Sequence, residues 1–131
     1  MAETVTQLLQ ARADDDNLAI TYNGSTWTWR EYIRESEKTA AAILGLADTS
    51  RPMHVGTLLG NTPDMLIALA AGALGGYVTA GINNTRRGEG LAGDILRADC
   101  QILVTDAEHR PLLQGLDLPG VTILDTSTPE W

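Results

Sequence analysis

The spacing of hydrophobic positions changes several times along the chain, and each change predicts a new element. Thr4–Gln7 has the form of a capping box, and apolar residues at helical spacing follow it. Two β-favouring runs come next, Leu18–Tyr22 and Ser25–Thr28, separated by Asn23-Gly24, a pair that tolerates positive φ. The pattern therefore predicts a short helix followed by a β-hairpin.

A second capping box, Thr28–Glu31, predicts the start of a long helix. Its apolar positions recur at helical spacing and predict one buried stripe: Tyr32, Ile33, Ala40, Ala41, Ile43 and Leu44. Trp27 and Trp29 could stack on a ligand, but packing in the hairpin or core is favoured, because aromatic residues are enriched in strands for packing reasons.

From His54 onwards, strand-like and helix-like segments alternate. The run His54–Gly60 shows little alternation of its own, as expected for a strand covered on both faces. The later predicted elements are helix Asp64–Leu74, strand Tyr77–Ile82, helix Gly88–Ala98, strand Gln101–Thr105, a short helix near Glu108–Leu113 and strand Val121–Asp125. This order predicts an α/β fold with a mainly parallel sheet and helices on both faces. A length of 131 residues without a dividing linker predicts one domain with one core.

Composition narrows the class of protein. Nine basic against seventeen acidic residues give a net charge of −8, which argues against nucleic acid as a partner. The N-terminus lacks a basic segment and a continuous apolar core, so no signal peptide is predicted. The longest apolar run, Met65–Val78, is interrupted by glycines and is shorter than the roughly 20 residues of a transmembrane helix. These features indicate a cytoplasmic chain without a transmembrane segment.

Several residues that could carry chemistry have ordinary structural explanations. The glycines of Gly72–Gly76 lie between a helix and a strand, which fits a tight turn and not a dinucleotide motif. The acidic run Asp14–Asn17 lacks the spacing of a calcium loop and predicts a solvated turn. No metal site is predicted.

The two histidines and the lone cysteine also suggest no catalytic site. His54, inside an apolar run, is expected to be a satisfied core or edge residue. His109, between Glu108 and Arg110, is expected to be exposed. Neither shows the spacing of a zinc site or of a nucleophile–histidine pair, and Cys100 is expected to be a buried structural thiol.

Three arginines are the candidate binding residues. Arg86 and Arg87 follow a predicted strand and precede a predicted helix, where positive charge and free backbone N–H groups could meet a phosphate. Arg110 follows the next strand in a comparable place. In the alternative interpretation these arginines form surface pairs with Glu89, Asp94 or Asp106.

Four segments carry a resemblance to a known family. They are Trp27–Tyr32, an aromatic entry to a long helix; Gly60–Pro63, an Asn-x-Pro type of turn; the glycine-rich Gly72–Val78; and Asn83–Asp94, an Asn-Thr-x-Arg-Gly type of segment. Together they resemble the N-terminal part of adenylate-forming fatty-acyl-CoA synthetases, especially bacterial long-chain acyl-CoA ligases related to fatty-acid transport proteins. The resemblance covers nearly the whole chain.

The resemblance implies the N-terminal subdomain of the adenylate-forming fold. Such enzymes use ATP and Mg²⁺ to convert a fatty acid to an acyl-adenylate and then pass the acyl group to CoA. By analogy with similar acetyl-CoA synthetases, Arg86, Arg87 and Arg110 are implied contacts of CoA phosphates.

The family's catalytic residues have no counterpart here. The glycine-rich loop ending in Pro-Lys, the later adenine and ribose motifs and the C-terminal lysine are not in this sequence. The 131-residue chain alone is therefore expected to be inactive and to bind none of ATP, Mg²⁺ and CoA tightly. Fatty acid and CoA are expected to bind through the rest of the enzyme, and self-association is left open. There are two alternatives to the hypothesis of an acyl-CoA synthetase segment. The chain could be a free-standing, non-catalytic α/β interaction or ligand-binding domain, or an unrelated flavodoxin-like module.

Overall fold

The fold is known from a computed structural model that describes residues 3–128. In chain order its elements are α1 Val5–Gln10, β1 Leu18–Tyr22, β2 Ser25–Thr28, α2 Trp29–Leu46, β3 His54–Leu58, α3 Pro63–Gly75, β4 Val78–Gly81, α4 Gly88–Arg97, β5 Ile102–Thr105, a 3₁₀ helix Arg110–Leu113 and β6 Thr122–Asp125. The predicted order of elements is confirmed. Several predicted strands extend one or two residues beyond the observed ones. Within the described range, no helix combines the length and the apolar character needed to cross a membrane.

The chain forms two compact units, and each is discontinuous in sequence. One unit contains the residues up to Leu46 together with Thr62–Gly76, and the other contains Ala47–Asn61 together with the residues from Tyr77 onwards. Each unit has a hydrophobic cluster of its own. The packing of each unit is therefore described by itself.

Local hydrogen bonds explain where the elements of the first unit begin. The Thr4 hydroxyl accepts a hydrogen bond from the Gln7 N–H at 3.1 Å, and the Gln7 side-chain Oε1 accepts one from the Thr4 N–H at 3.3 Å, so the first capping box is confirmed. The second is formed by Thr28 and Glu31, with N–O distances of 3.1 and 3.0 Å. Asn23 and Gly24 both have positive φ, 49° and 81°, as a tight hairpin requires.

The first unit is held together by packing between α2 and α3. Its cluster contains Ile20, Tyr32, Ile67 and Ala70, and Trp27 and Trp29 pack against it, in agreement with a packing role for both tryptophans. The predicted stripe on α2 is too wide, because Ala41 and Leu44 are exposed. At the end of α3, Gly76 adopts φ 74° and its N–H bonds to the Gly72 carbonyl, which confirms the tight turn between helix and strand.

The second unit contains a four-stranded parallel sheet in the order β4-β3-β5-β6. One face of the sheet packs against α4 and the 3₁₀ helix through a cluster of buried residues: Leu58, Leu91, Ile95, Leu103 and Leu113. In β3, the consecutive residues Val55–Leu58 are all buried, so both faces of this strand are covered, as predicted. The sheet and the preceding helix and hairpin confirm the α/β fold class.

Close packing surrounds the centre of β3. A Cβ atom added to Gly56 would lie 2.9 Å from both Cys100 Sγ and Leu103 Cδ1, so only glycine fits there without movement. Cys100 is 2% exposed, and burial raises the pKa of its thiol, with a smaller contribution from Asp99. The predicted buried, structural thiol is confirmed.

Candidate functional site at the carboxyl ends of the strands

The topology of the sheet places one switch point in the second unit. From β3 the chain crosses to β4 on one side and then returns to β5 on the other side of β3. The connections therefore change direction between β3 and β5. In open parallel sheets, ligands bind outside the carboxyl ends of the strands at such a switch point. Gly60 follows β3 and Asp106 follows β5 at this position.

Asp106 bridges the two strand ends. Its Oδ2 accepts a hydrogen bond from the Gly60 N–H at 3.0 Å, and its Oδ1 accepts one from the His109 N–H at 2.9 Å. Burial raises the pKa of the Asp106 carboxyl, but the bonds from Gly60 and His109 together outweigh it and leave this pKa below the ordinary 3.8. Asp106 is thus a carboxylate held by hydrogen-bond donors at the switch point of the sheet.

His109 completes the bridge, and its predicted exposure is wrong. Its side chain is only 13% exposed, and Nδ1 lies 2.7 Å from Asp106 Oδ1. Nε2 lies 3.4 Å from Nδ2 of Asn84, which also donates to the Leu59 carbonyl at 3.2 Å. The network therefore joins the ends of β3, β4 and β5. The sequence signal was the three-residue spacing of Asp106 and His109 directly after a strand, whereas the prediction rested on the neighbours Glu108 and Arg110.

Arg86 forms a surface pair, as the alternative interpretation predicts. Its Nε lies 3.0 Å from Asp94 Oδ2, and Arg97 approaches the same carboxylate at 2.6 Å. The Arg86 guanidinium lies over Gly90, where an added Cβ would come within 3.1 Å of it. Its side chain is 48% exposed, so solvent screens the pair and the interaction contributes little to stability.

Arg87 makes a different set of contacts. Its Nη1 donates to the Asn84 carbonyl at 2.7 Å and to the Arg86 carbonyl at 2.8 Å. Both partners are neutral, so these bonds orient the guanidinium without neutralising it. The residue is exposed. Arg87 can therefore offer its charge to an anion from a defined position.

Arg110 pairs with an aspartate other than the predicted Asp106. Its Nη1 lies 3.4 Å from Asp125 Oδ2, while its backbone N–H donates to the Asp106 carbonyl at 2.9 Å. The pKa of Asp125 is lowered, first by hydrogen bonds from the Ser127 hydroxyl and N–H and also by Arg110. The Arg110 side chain is 52% exposed at the edge of a surface cleft of about 510 Å³ that also contains Leu113.

The other candidates behave as structural residues. His54 Nδ1 lies 2.9 Å from the Ala98 carbonyl, which confirms a satisfied histidine at a strand start. In the predicted solvated turn, Asp15 pairs with Arg12 and Asp16 with Arg30. Across residues 3–128, no group of three or more His, Cys, Asp or Glu side chains is arranged to hold a metal ion.

Comparison with known proteins places the chain in a family. Residues 9–130 match the profile of the AMP-binding enzymes. A medium/long-chain-fatty-acid–CoA ligase, FadD17 of Mycobacterium tuberculosis, is 40% identical over 129 residues, which are 98% of this chain and 24% of the relative. The steroid-22-oyl-CoA synthetase of Rhodococcus jostii is 42% identical over 115 residues, which are 88% of this chain and 20% of the relative.

Solved structures share the fold at low sequence identity. The N-terminal domain of FACL13 from Mycobacterium tuberculosis superposes with a TM-score of 0.83 at 14% identity, over 95% of this chain and 34% of that chain. The anthranilate CoA ligase AuaEII gives 0.79 at 18% identity, over 92% and 25%. The chain spans about a quarter of the length of the curated relatives named above. With a matching profile over most of its residues and a fold shared with an N-terminal domain, the chain belongs to the family of AMP-binding enzymes.

Proposed function

We propose that the chain is the N-terminal part of an ATP-dependent fatty-acid–CoA ligase. The observation that carries this proposal is the 40% identity, over 98% of the chain, to a medium/long-chain-fatty-acid–CoA ligase. The four sequence segments that resemble acyl-CoA synthetases support it, because they are spread along the chain from the end of β2 to α4. Asn84, one residue of the network at the carboxyl ends of the strands, lies in the last of these segments, Asn83–Asp94.

The proposed reaction has two steps. A fatty-acid carboxylate oxygen attacks the α-phosphorus of ATP, so that a new P–O bond forms and pyrophosphate leaves. The CoA thiol then loses its proton and its sulfur attacks the acyl carbon of the adenylate; the bond between the acyl carbon and the phosphate oxygen breaks, so that a thioester forms and AMP leaves. Both steps place several negative charges close together, and cationic groups are needed to offset them.

The residues of this chain do not fit the ATP and Mg²⁺ part of that chemistry. Its sequence has no glycine-rich loop ending in Pro-Lys, and its single lysine, Lys38, is an exposed residue that pairs with Glu35. Over residues 3–128 no cluster of potential metal ligands is present. No step of adenylation is therefore assigned to a side chain here, and the chain by itself is proposed to be inactive.

The three arginines fit a role in CoA binding better. Arg87 is exposed and oriented by two carbonyls, and Arg110 is half-exposed beside a cleft. Arg86 is already paired with Asp94, so a phosphate would compete with that carboxylate. We rank Arg87 first, Arg110 second and Arg86 third as contacts of CoA phosphates.

The first experiment uses the 131-residue chain itself. Incubated with ATP, Mg²⁺ and fatty acids of several lengths, the chain should release no pyrophosphate, while the ligase containing this segment should release it with its preferred acid. Protein-dependent release by the chain alone would contradict the proposal.

The second experiment tests the arginines in a complete ligase containing this segment. Arg87→Ala should raise the KM for CoA roughly 10- to 150-fold if a well-formed charge-assisted contact is lost, and Arg86→Ala should have a smaller effect. Pyrophosphate formation from ATP and fatty acid should not change. Arg34→Ala, an exposed arginine on α2, is the control. If the variants of Arg86, Arg87 and Arg110 all have the wild-type KM for CoA, the proposed CoA role of these arginines is contradicted.

A second acid substrate has specific support. Identity to the steroid-22-oyl-CoA synthetase is 42%, close to that of the fatty-acid ligase. A steroid carboxylic acid therefore belongs in the substrate panel. A much higher kcat/KM for the steroid acid than for any fatty acid would assign the ligase to steroid acids instead.

A further inference from the structure

We propose that Asp106, His109 and Asn84 form a positioning relay that holds the segment after β4, and with it Arg87, against the ends of β3 and β5. The relay is argued from hydrogen bonds in the second unit. Only its consequence for CoA binding rests on the proposed function. These three residues touch no substrate in the proposal and act through the arginines.

The first step fixes the proton on His109. Asp106 Oδ1 lies 2.7 Å from His109 Nδ1, and a carboxylate can only accept a hydrogen bond. Nδ1 must therefore carry the hydrogen. Because Asp106 is itself held by the Gly60 N–H and the His109 N–H, its oxygens cannot turn away without losing these bonds.

The second step fixes the amide of Asn84. Its Nδ2 donates to the Leu59 carbonyl at 3.2 Å, so a rotated amide would set two oxygens against each other. Nδ2 also lies 3.4 Å from His109 Nε2, which is a long contact. A donor at this position is compatible with a bare Nε2 and not with an Nε2–H group. Asn84 therefore complements one form of the ring, the neutral Nδ1–H tautomer.

The third step connects the relay to the arginines. The Asn84 carbonyl accepts the bond from Arg87 Nη1 at 2.7 Å, so the position of Asn84 sets the position of this guanidinium. The Arg110 N–H donates to the Asp106 carbonyl at 2.9 Å. Two of the three candidate arginines are thus attached to residues of the relay, one at each end.

The tautomer can be measured directly on this chain. Nitrogen-15 NMR at about pH 9, above the ordinary range of imidazole pKa values, should show His109 with a hydrogen on Nδ1 and none on Nε2. The sequence has two histidines, so His109→Gln identifies the signals. Replacing Asp106 with alanine should remove this preference. A wild-type ring with a hydrogen on Nε2 would overturn the proposal, whatever the variant does.

Hydrogen exchange tests whether the relay holds the segment. Asn84→Leu replaces the amide by an apolar group with the same branched shape and should speed amide exchange of Thr85–Arg87 about tenfold, while amides of β5 keep their protection. Gln114→Ala, at an exposed position after the 3₁₀ helix, is the control. Unchanged exchange in Asn84→Leu would overturn the relay.

Kinetics in the complete ligase separate the relay from the CoA role. Asn84→Leu should raise the KM for CoA at least threefold and leave pyrophosphate formation from ATP and fatty acid unchanged. Faster exchange with an unchanged KM would keep the relay and reject the CoA role of the arginines. A raised KM for CoA with unchanged amide exchange would reject the relay and keep the CoA role.

Discussion

The Tyr32 hydroxyl on α2 donates a 2.7 Å hydrogen bond to the backbone carbonyl of Leu66 on α3. This bond joins the two longest helices of the first unit across 34 residues of sequence. Tyr32 is 9% exposed, and burial raises the pKa of its phenol, so the hydroxyl remains a donor at neutral pH.

Replacing Tyr32 with phenylalanine should lower the free energy of unfolding by about 0.5–1.5 kcal/mol, because the ring stays and only the hydrogen bond is lost. Urea denaturation measures the difference. Tyr22→Phe, on the exposed side of the hairpin, should change stability by less than about 0.5 kcal/mol. Equal effects of the two substitutions would show that the Leu66 bond contributes nothing.

The two threonines that precede α2 and α3 should respond differently to valine. Thr28 caps α2 through its bond to the Glu31 N–H, so Thr28→Val should cost about 0.5–2 kcal/mol. Thr62 precedes α3, but its hydroxyl is buried and has no hydrogen-bond partner among the described residues. Thr62→Val should therefore be neutral or stabilising in the same denaturation assay. The opposite order would show that Thr62 is the stronger cap.

Alanine substitutions at Gly45 and Gly76 can distinguish backbone strain from steric overlap, because both glycines have open space around them. Apart from the adjacent backbone, no heavy atom lies within 4 Å of a Cβ added at Gly45 or Gly76. Gly76→Ala should cost about 1–2 kcal/mol because φ is 74° there. Gly45→Ala, near the end of α2, should instead stabilise the chain by up to about 1 kcal/mol. Melting temperatures that move in the same direction for both variants would contradict this explanation.

Lowering the pH should reduce the free energy of unfolding of the chain partly through Asp106. Its folded pKa lies below the ordinary 3.8, so its stabilising contribution is present above that value and is lost as the pH falls through the lowered pKa. Asp106→Asn should therefore destabilise the chain more at pH about 7 than at pH about 2, because the stabilising contribution of the carboxylate is progressively lost as the pH falls towards the lowered pKa. Urea midpoints at both pH values test this, with the exposed Asp117→Asn as control. A difference that is the same at both pH values would contradict the lowered pKa.

The predictions that held depended on short stretches of sequence. Capping at Thr4 and Thr28, the Asn23-Gly24 turn and the Gly76 helix end each involve residues a few positions apart, so local hydrogen bonding and φ decide them. The alternation of strand-like and helix-like segments predicted the order of the elements along the chain for the same reason, because local periodicity indicates which side chains become buried.

The predictions that failed depended on distant residues. Ala41 and Leu44 match the spacing of a buried stripe, yet they are exposed, because the burial of a helix face depends on what packs against it. The division into two units cannot be predicted from the sequence either, since each unit combines segments far apart in the chain and no linker separates them.

By itself, the sequence determined the elements, their order and the family resemblance, because these follow from local periodicity, caps and motifs. Only the tertiary structure decided the partners at the carboxyl edge of the sheet. Asn84, Asp106 and His109 come together because parallel strands bring their carboxyl ends to one edge, and Arg110 pairs with Asp125, which follows it by fifteen residues. Charge and spacing in the chain cannot fix such pairs, since strand order decides which ends become neighbours.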